Sequence, residues 1–331
     1  MEGSKTAEPS QTIALCNETL EMVFWILYGS AGVVILTGNL FTFLVFVTTK
    51  RLRQSYMNIF LVNLAVADIM MAVLVVPGYA AFCNSTSCSY PMSKYCWLMA
   101  GLKDTAFGGT VLNLAAISFD RFLAVLRPLR YQIYMTKRSV CCILAGVWGL
   151  SSIIALIRNA WLHTKSEEEA KNIDKIYNSI LIFTFALLPI LVILGVNVRI
   201  IQAIRRQERR VGHGRNSVRG TTTVDREARL EITKAKKGTI SCVLIVFVFL
   251  FSWLPLAFVN FSFVFGRADL VGDVLIKIAW LCLFVQSSTN PFIYSFYRSD
   301  FRKAGLALIF RRKSSTKSRR VTTSSHNDLN V

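Results

Sequence analysis

Apolar residues dominate seven long stretches of the chain, at 22–48, 57–82, 94–126, 139–161, 176–204, 237–265 and 271–297, and polar residues gather between them. Each stretch exceeds the ~20 residues that a helix needs to cross the hydrocarbon of a bilayer. Inside lipid no water meets bare N–H and C=O groups, so each crossing segment must be a helix that satisfies its own backbone. The predicted fold class is an all-α membrane protein: a seven-transmembrane helix bundle over 22–297 and a short amphipathic C-terminal helix over 298–310 on the membrane surface. Residues 1–21 form a polar tail. The first apolar run is too long and comes too late for a cleaved signal peptide, so it reads as the first span. Residues 311–331 are basic and rich in serine and threonine, a composition that cannot bury a core and is expected to be disordered.

The distribution of charge then orients the spans. Segments 49–56, 119–138, 199–237 and 298–331 carry a net charge of +22, while the opposite side carries −2 and Asp68 is left inside the membrane. Positive loops stay in the cytoplasm, which predicts a multi-pass plasma-membrane protein with its N-terminus extracellular. A nucleic-acid binder would need its basic residues on a folded face, so the net +19 of the chain points to no such partner but to the lipid bilayer. Two sequons, Asn17-Glu18-Thr19 and Asn84-Ser85-Thr86, fall on the predicted outside, where glycosylation occurs.

Little in the spans suits catalysis or transport. The three histidines, His163, His213 and His326, lie in or beside predicted loops and the tail, so a membrane-embedded zinc hydrolase lacks ligands. A polytopic transporter would need several charged groups along a path, and only Asp68 is deep. The chain is therefore not expected to be an enzyme, and neither a cofactor nor a structural metal is expected. An intramembrane acid is costly and usually functional, which singles out Asp68. Pro189, Pro255 and Pro291 each remove a backbone hydrogen bond and create a hinge within a span. Trp253 stands two residues before Pro255, and the Asp120-Arg121 pair closes the third span at its cytoplasmic end.

One residue set recurs helix by helix. It comprises Gly38-Asn39, then Asn63-Leu64-Ala65-Val66-Ala67-Asp68, Cys96 with Asp120-Arg121-Phe122, Trp148 and Pro189. It continues with Phe249-Leu250-Phe251-Ser252-Trp253-Leu254-Pro255, Asn290-Pro291-Phe292-Ile293-Tyr294 and Phe301-Arg302. In this order, over residues 22–310, the chain resembles a rhodopsin-like (class A) G-protein-coupled receptor. The resemblance implies a cell-surface receptor that binds an extracellular small molecule or peptide and activates heterotrimeric G proteins by movement of the sixth helix. It implies an allosteric sodium ion held by Asp68, Thr110 and Asn290, and a G-protein switch made of Asp120, Arg121 and Tyr294. Arrestin and receptor kinases are the partners it implies for the tail.

The chain departs from that pattern in several places. The loop at about 162–175 holds no cysteine, so the partner of Cys96 is Cys16, Cys83 or Cys88. The Tyr that often follows the switch Arg is Phe122, the inner fifth-helix Tyr is Asn197, and the acid often found 20 residues before Pro255 is Ala235. Without that acid the resting clamp on Arg121 is weakened, and appreciable ligand-free activity is expected.

Helical spacing aligns Lys103, Phe107, Thr110, Leu114 and Arg121 on one inward stripe. Amine receptors carry an Asp at the place of Lys103, so a cationic amine would meet a like charge. Opsins carry a lysine at the place of Phe284, so retinal is not expected. The predicted ligand site is an apolar, aromatic cavity of Phe107, Phe185, Trp253, Leu256, Asn260, Trp280 and Phe284, with Lys103 and Asp104 as polar handles.

Overall fold

The computed structural model describes residues 17–83, 95–162, 164–214 and 223–310. Seven long helices stand side by side among these residues. They are α1 (Glu18–Thr48), α2 (Tyr56–Met70, continued by wider turns over Met71–Cys83), α3 (Cys96–Leu126) and α4 (Lys137–Ile157). Then follow α5 (Glu167–Leu181, wider turns at Ile182–Leu187, then Leu188–Gly214), α6 (Thr223–Val264) and α7 (Asp273–Tyr297). A short helix, Pro128–Tyr134, links α3 to α4, and residues 299–310 form a final helix, α8.

Neighbours in sequence pack as neighbours in space except α4 and α5, which meet near their ends through Tyr177 and Arg158; α7 closes the ring against α1, and α3 runs through the middle, touching α2, α4, α5 and α6. The outside of this ring is apolar: Val33 is 63% exposed, Leu191 64% and Phe296 73%. A belt of this kind is unstable in water and is what lipid solvates. Among the described residues, five helices (α1, Tyr56–Gly78 in α2, α3, α4 and Val243–Val264 in α6) are long and apolar enough to cross a membrane by composition alone. In α7 the run Gln286-Ser287-Ser288-Thr289-Asn290 dilutes the apolar character. Its polar side chains face inward, with Gln286, Ser287 and Asn290 buried, while Val285 and Phe292 face out.

Several helices run past their predicted limits. α1 starts at Glu18 because Asn17 caps it, its Oδ1 accepting from Leu20 N at 3.0 Å. The expected 162–175 loop is largely helix, since Ser166 caps α5 by accepting from Glu169 N at 3.4 Å and acidic residues suit the first turn of a helix. α6 extends 14 residues below its predicted start at 237, to Thr223, as a polar helix clear of the apolar belt.

Polar pairs fix the register between helices. Trp148 Nε1 of α4 donates to Asn63 Oδ1 of α2 at 3.0 Å, and Asn63 Nδ2 donates to Asn113 Oδ1 of α3 at 2.6 Å. Asn39 of α1 donates to the Ser287 carbonyl of α7 at 3.2 Å. Just beside it the backbones come close: a Cβ on Gly38 would lie 2.9 Å from Pro291 Cγ, a rigid ring that cannot yield. With so few alternative partners inside lipid, such bonds select one arrangement of packed helices.

Candidate functional site

Toward the end of the bundle where α3 begins, α3, α4, α5, α6 and α7 enclose a cavity of about 280 Å³. Lys103, Asp104, Phe107, Trp253, Leu256, Asn260 and Trp280 all line it, together with Leu181 and Ile182. One stripe of α3 thus supplies both the polar rim and the aromatic wall. The Phe107 ring stacks on Trp280 at 5.8 Å and meets Trp253 edge-on at 5.2 Å. Trp253 in turn rests on Phe249, one turn further down α6, at 5.3 Å. An aromatic column therefore leads from the cavity down α6 past Pro255.

Phe284 is not part of the lining. It is fully buried behind Trp280, with ring centroids 6.1 Å apart, and meets Tyr28 of α1 edge-on at 5.3 Å. It lies one turn below Trp280, and its ring packs toward α1 rather than into the opening. The side chain of Phe185 lies outside the described residues.

The rim holds a charge cluster that the sequence did not reveal. Lys103 Nζ lies 3.0 Å from Asp104 Oδ1, and Arg158 of the α4 end lies 3.4 Å from Asp104 Oδ2. Arg158 also reaches Asp174 at 3.5 Å, donates to Asn178 Oδ1 at 2.6 Å and covers the Tyr177 ring at 5.2 Å. Trp161 Nε1 donates to Asp174 at 2.9 Å. In these contacts two cations meet two anions, with Asp104 only 8% exposed. A second buried group joins α1 to α7: Lys277 Nζ lies 2.9 Å from Glu21 Oε1 and 3.6 Å from Asp273 Oδ2. Tyr28 adds a bond to the Lys277 carbonyl at 2.9 Å.

Midway down the bundle, Asp68 is fully buried and accepts from Asn290 Nδ2 at 2.8 Å through Oδ2. Its Oδ1 has no hydrogen bond of ordinary length, although the Ser287 hydroxyl faces the same carboxylate. Thr110 is also buried, its hydroxyl donating to the Ala106 carbonyl at 3.0 Å, which leaves its oxygen lone pairs available. An orphaned carboxylate oxygen beside the Ser287 hydroxyl suits a hard monovalent cation, so Asp68 fits a sodium ion, whereas Asn290 turns its amide nitrogen rather than its oxygen to that carboxylate.

At the other end, Asp120 is fully buried and holds Arg121 through Nε at 2.9 Å and through Nη2. Tyr131, from the short helix Pro128–Tyr134, donates its hydroxyl to Asp120 Oδ1 at 2.8 Å. Burial, and then the adjacent carboxylate, push the Tyr131 phenol above its ordinary range, so it stays a donor at any physiological pH. Tyr294 is buried with its ring 6.1 Å from Phe301 of α8. Asn197 bonds back to the Ile193 carbonyl of its own helix at 2.8 Å. Arg298, at the α7–α8 joint, ties Asn58 of α2 to Asp300. Burial would raise the Asp300 carboxyl, but its bonds from Arg298 outweigh that and hold it below the usual carboxylate range. Between the ends of α1, α2, α3, α6 and α8 on the Arg121 side lies a basic cavity of about 730 Å³ that Arg121, Lys237 and Arg298 help to line.

Cys96 is disulfide-bonded. Cys16 and Cys88 lie outside the described residues, and the side chain of Cys83 is likewise outside them, so the choice among the three stands. Asn84 and the tail from 311 are outside the described residues too. Asn17 spends its Oδ1 on the α1 cap and is exposed.

An aromatic cavity at one end, a buried Asp–Asn pair in the middle and an Asp–Arg lock at the other define a seven-helix receptor. The profile of the 7 transmembrane receptor (rhodopsin family) matches residues 38–294, and the chain belongs to that family. It is a non-enzymatic, multi-pass membrane receptor that binds an extracellular ligand and activates G proteins. Among curated proteins it is similar to the D(1)-like dopamine receptor of Oreochromis mossambicus, 29% identical over 290 residues that cover 81% of this chain and 74% of the relative. It is 28% identical to the histamine H2 receptor of Cavia porcellus over 289 residues, 82% of this chain and 75% of that protein. The D(5)-like dopamine receptor of Takifugu rubripes is 28% identical over 300 residues, 81% of this chain and 63% of the relative.

Proposed function

We propose that a small extracellular molecule enters the cavity above Trp253 and shifts α6 about Pro255, releasing Arg121 to engage the G protein. The observation that carries this reading is the aromatic column Phe107–Trp253–Phe249, which joins the cavity wall to the hinge by ring contacts of 5.2 and 5.3 Å. Two discrete packings of such a column turn a small displacement at the ligand into a large one at the helix end. The named relatives are receptors for dopamine and histamine, which supports a ligand of that size rather than a long peptide.

The N-terminus is extracellular in this reading, supported by the charge asymmetry and by the exposed Asn17 sequon as a glycan site. A sodium ion held by Asp68, Thr110 and Asn290 stabilises the resting packing. The basic face of α8, with Arg302 and Lys303, rests on anionic lipid. Phosphorylation of the tail serines and threonines by receptor kinases adds about −1.5 to −2 charges per site and recruits arrestin. The last residues, Leu329-Asn330-Val331, fit strand addition to a PDZ domain. The test is a screen of cells expressing this chain, reading cAMP and calcium against small-molecule libraries, with Trp253→Ala in parallel. A ligand response that Trp253→Ala abolishes supports the reading. A full response in that variant removes the column from the mechanism.

A further inference from the structure

We infer that the cavity recognises a zwitterion, an α-amino acid with an apolar or aromatic side chain, rather than a simple amine or a simple acid; this rests on the ligand cavity proposed above. The lysine that would repel an amine is only half of the rim. Lys103 and Asp104 line the cavity as a contact pair at 3.0 Å, and Asp104 is held from behind by Arg158 at 3.4 Å. Arg158 is itself paired with Asp174 at 3.5 Å. Asp104 Oδ2 and Arg158 Nε are buried without hydrogen bonds, so the cluster is incompletely bonded.

Charge balance decides among ligand classes. A bare ammonium at Asp104 would also meet the like charge of Lys103 3.0 Å away from that carboxylate, and a bare carboxylate at Lys103 would also meet Asp104, so either ion brings one net charge into a low-dielectric site. An uncompensated buried charge is strongly unfavourable. A molecule carrying both groups on one carbon can set its carboxylate against Lys103 and its ammonium against Asp104. The two charges of the ligand then alternate with those of Lys103 and Asp104, that pair need not break, and the ligand adds no net charge. The body of the ligand falls on the Phe107–Trp280 stack, whose rings lie 24° from parallel, with Leu181 and Leu256 beside it. At about 280 Å³ the opening is near the lower end of small-molecule sites, which suits a compact ligand.

The test uses matched triads with one body and three charge states: phenylalanine, phenethylamine and 3-phenylpropionate, with equivalent sets on indole and isobutyl bodies. Full-length receptor in lipid nanodiscs with heterotrimeric G protein reports nucleotide exchange, and thermal stabilisation of the receptor alone reports binding. The amino acid of at least one triad should bind at least tenfold better than its amine and its acid. Lys103→Met and the isosteric Asp104→Asn should each reduce that preference about tenfold or more, the scale of one charge-assisted contact. Lys103→Met should shift the order toward the amine, and Asp104→Asn toward the acid. A triad in which amine or acid binds best in the wild type, or no response to any amino acid up to millimolar concentration, overturns the inference. In the second case, ligand-free exchange that depends on Arg121 leaves the receptor reading standing. Loss of both brings down that reading as well.

Discussion

Replacing Tyr131 by Phe removes one oxygen from the lock around Arg121 and nothing else. In the structure Asp120 is fully buried and accepts from Arg121 and from the Tyr131 hydroxyl, the latter at 2.8 Å. A hydrogen bond to a charged group contributes about 1.5–3 kcal/mol when buried. Tyr131 is half-buried, so water can take its place, and about 1 kcal/mol is the share expected to be lost. A carboxylate that binds its neighbours less firmly holds Arg121 less firmly, and the resting state loses that amount relative to the active one. A shift of about 1 kcal/mol changes a two-state equilibrium about fivefold. Ligand-free nucleotide exchange, measured per receptor in nanodiscs and normalised to folded protein, should therefore rise about fivefold in Tyr131→Phe. Asp120→Asn, which weakens both bonds, should raise it further. Unchanged or lower exchange in Tyr131→Phe, with the receptor intact, would refute the idea that this bond holds the resting state.

Three further outcomes are expected. Ala235→Glu supplies the acid that the family pattern often carries there, and should lower basal signalling by an energy of about 1–3 kcal/mol; equal basal activity would count against a weakened clamp. Agonist affinity should fall as sodium rises in the wild type, and Asp68→Asn should abolish that dependence. An affinity indifferent to sodium in the wild type would sink the ion site. Truncation after Phe310 should preserve acute signalling but slow internalisation, and normal internalisation would show that the tail is not the regulatory element.

The sequence revealed those features that depend on one helix at a time. Asp68 stood out because a lone acid in an apolar run is costly wherever its partners are, and the spacing of Lys103, Phe107 and Thr110 placed them on one stripe before any neighbour was known. Features made by two distant segments were hidden. Nothing local marks Arg158 as the brace behind Asp104, or Lys277 as the buried partner of Glu21 across 256 positions, because only packing brings those charges together. Phe284 has the right helical phase for the cavity, yet its ring packs against Tyr28 of α1, a contact that helical spacing cannot encode. The boundary errors have a local cause: Ser166 and Asn17 cap helices whose first turns are too polar to count as membrane spans.

The proposed switch turns on Arg121, and its most direct measurement is G-protein nucleotide exchange by purified wild-type and Arg121→Ala receptors at equal density in nanodiscs. Wild-type receptor should accelerate exchange above the level of empty nanodiscs, and further with a ligand from the screen. Arg121→Ala should fall to the empty-nanodisc rate while binding the same ligand. Wild-type acceleration that persists undiminished in Arg121→Ala would contradict the central claim.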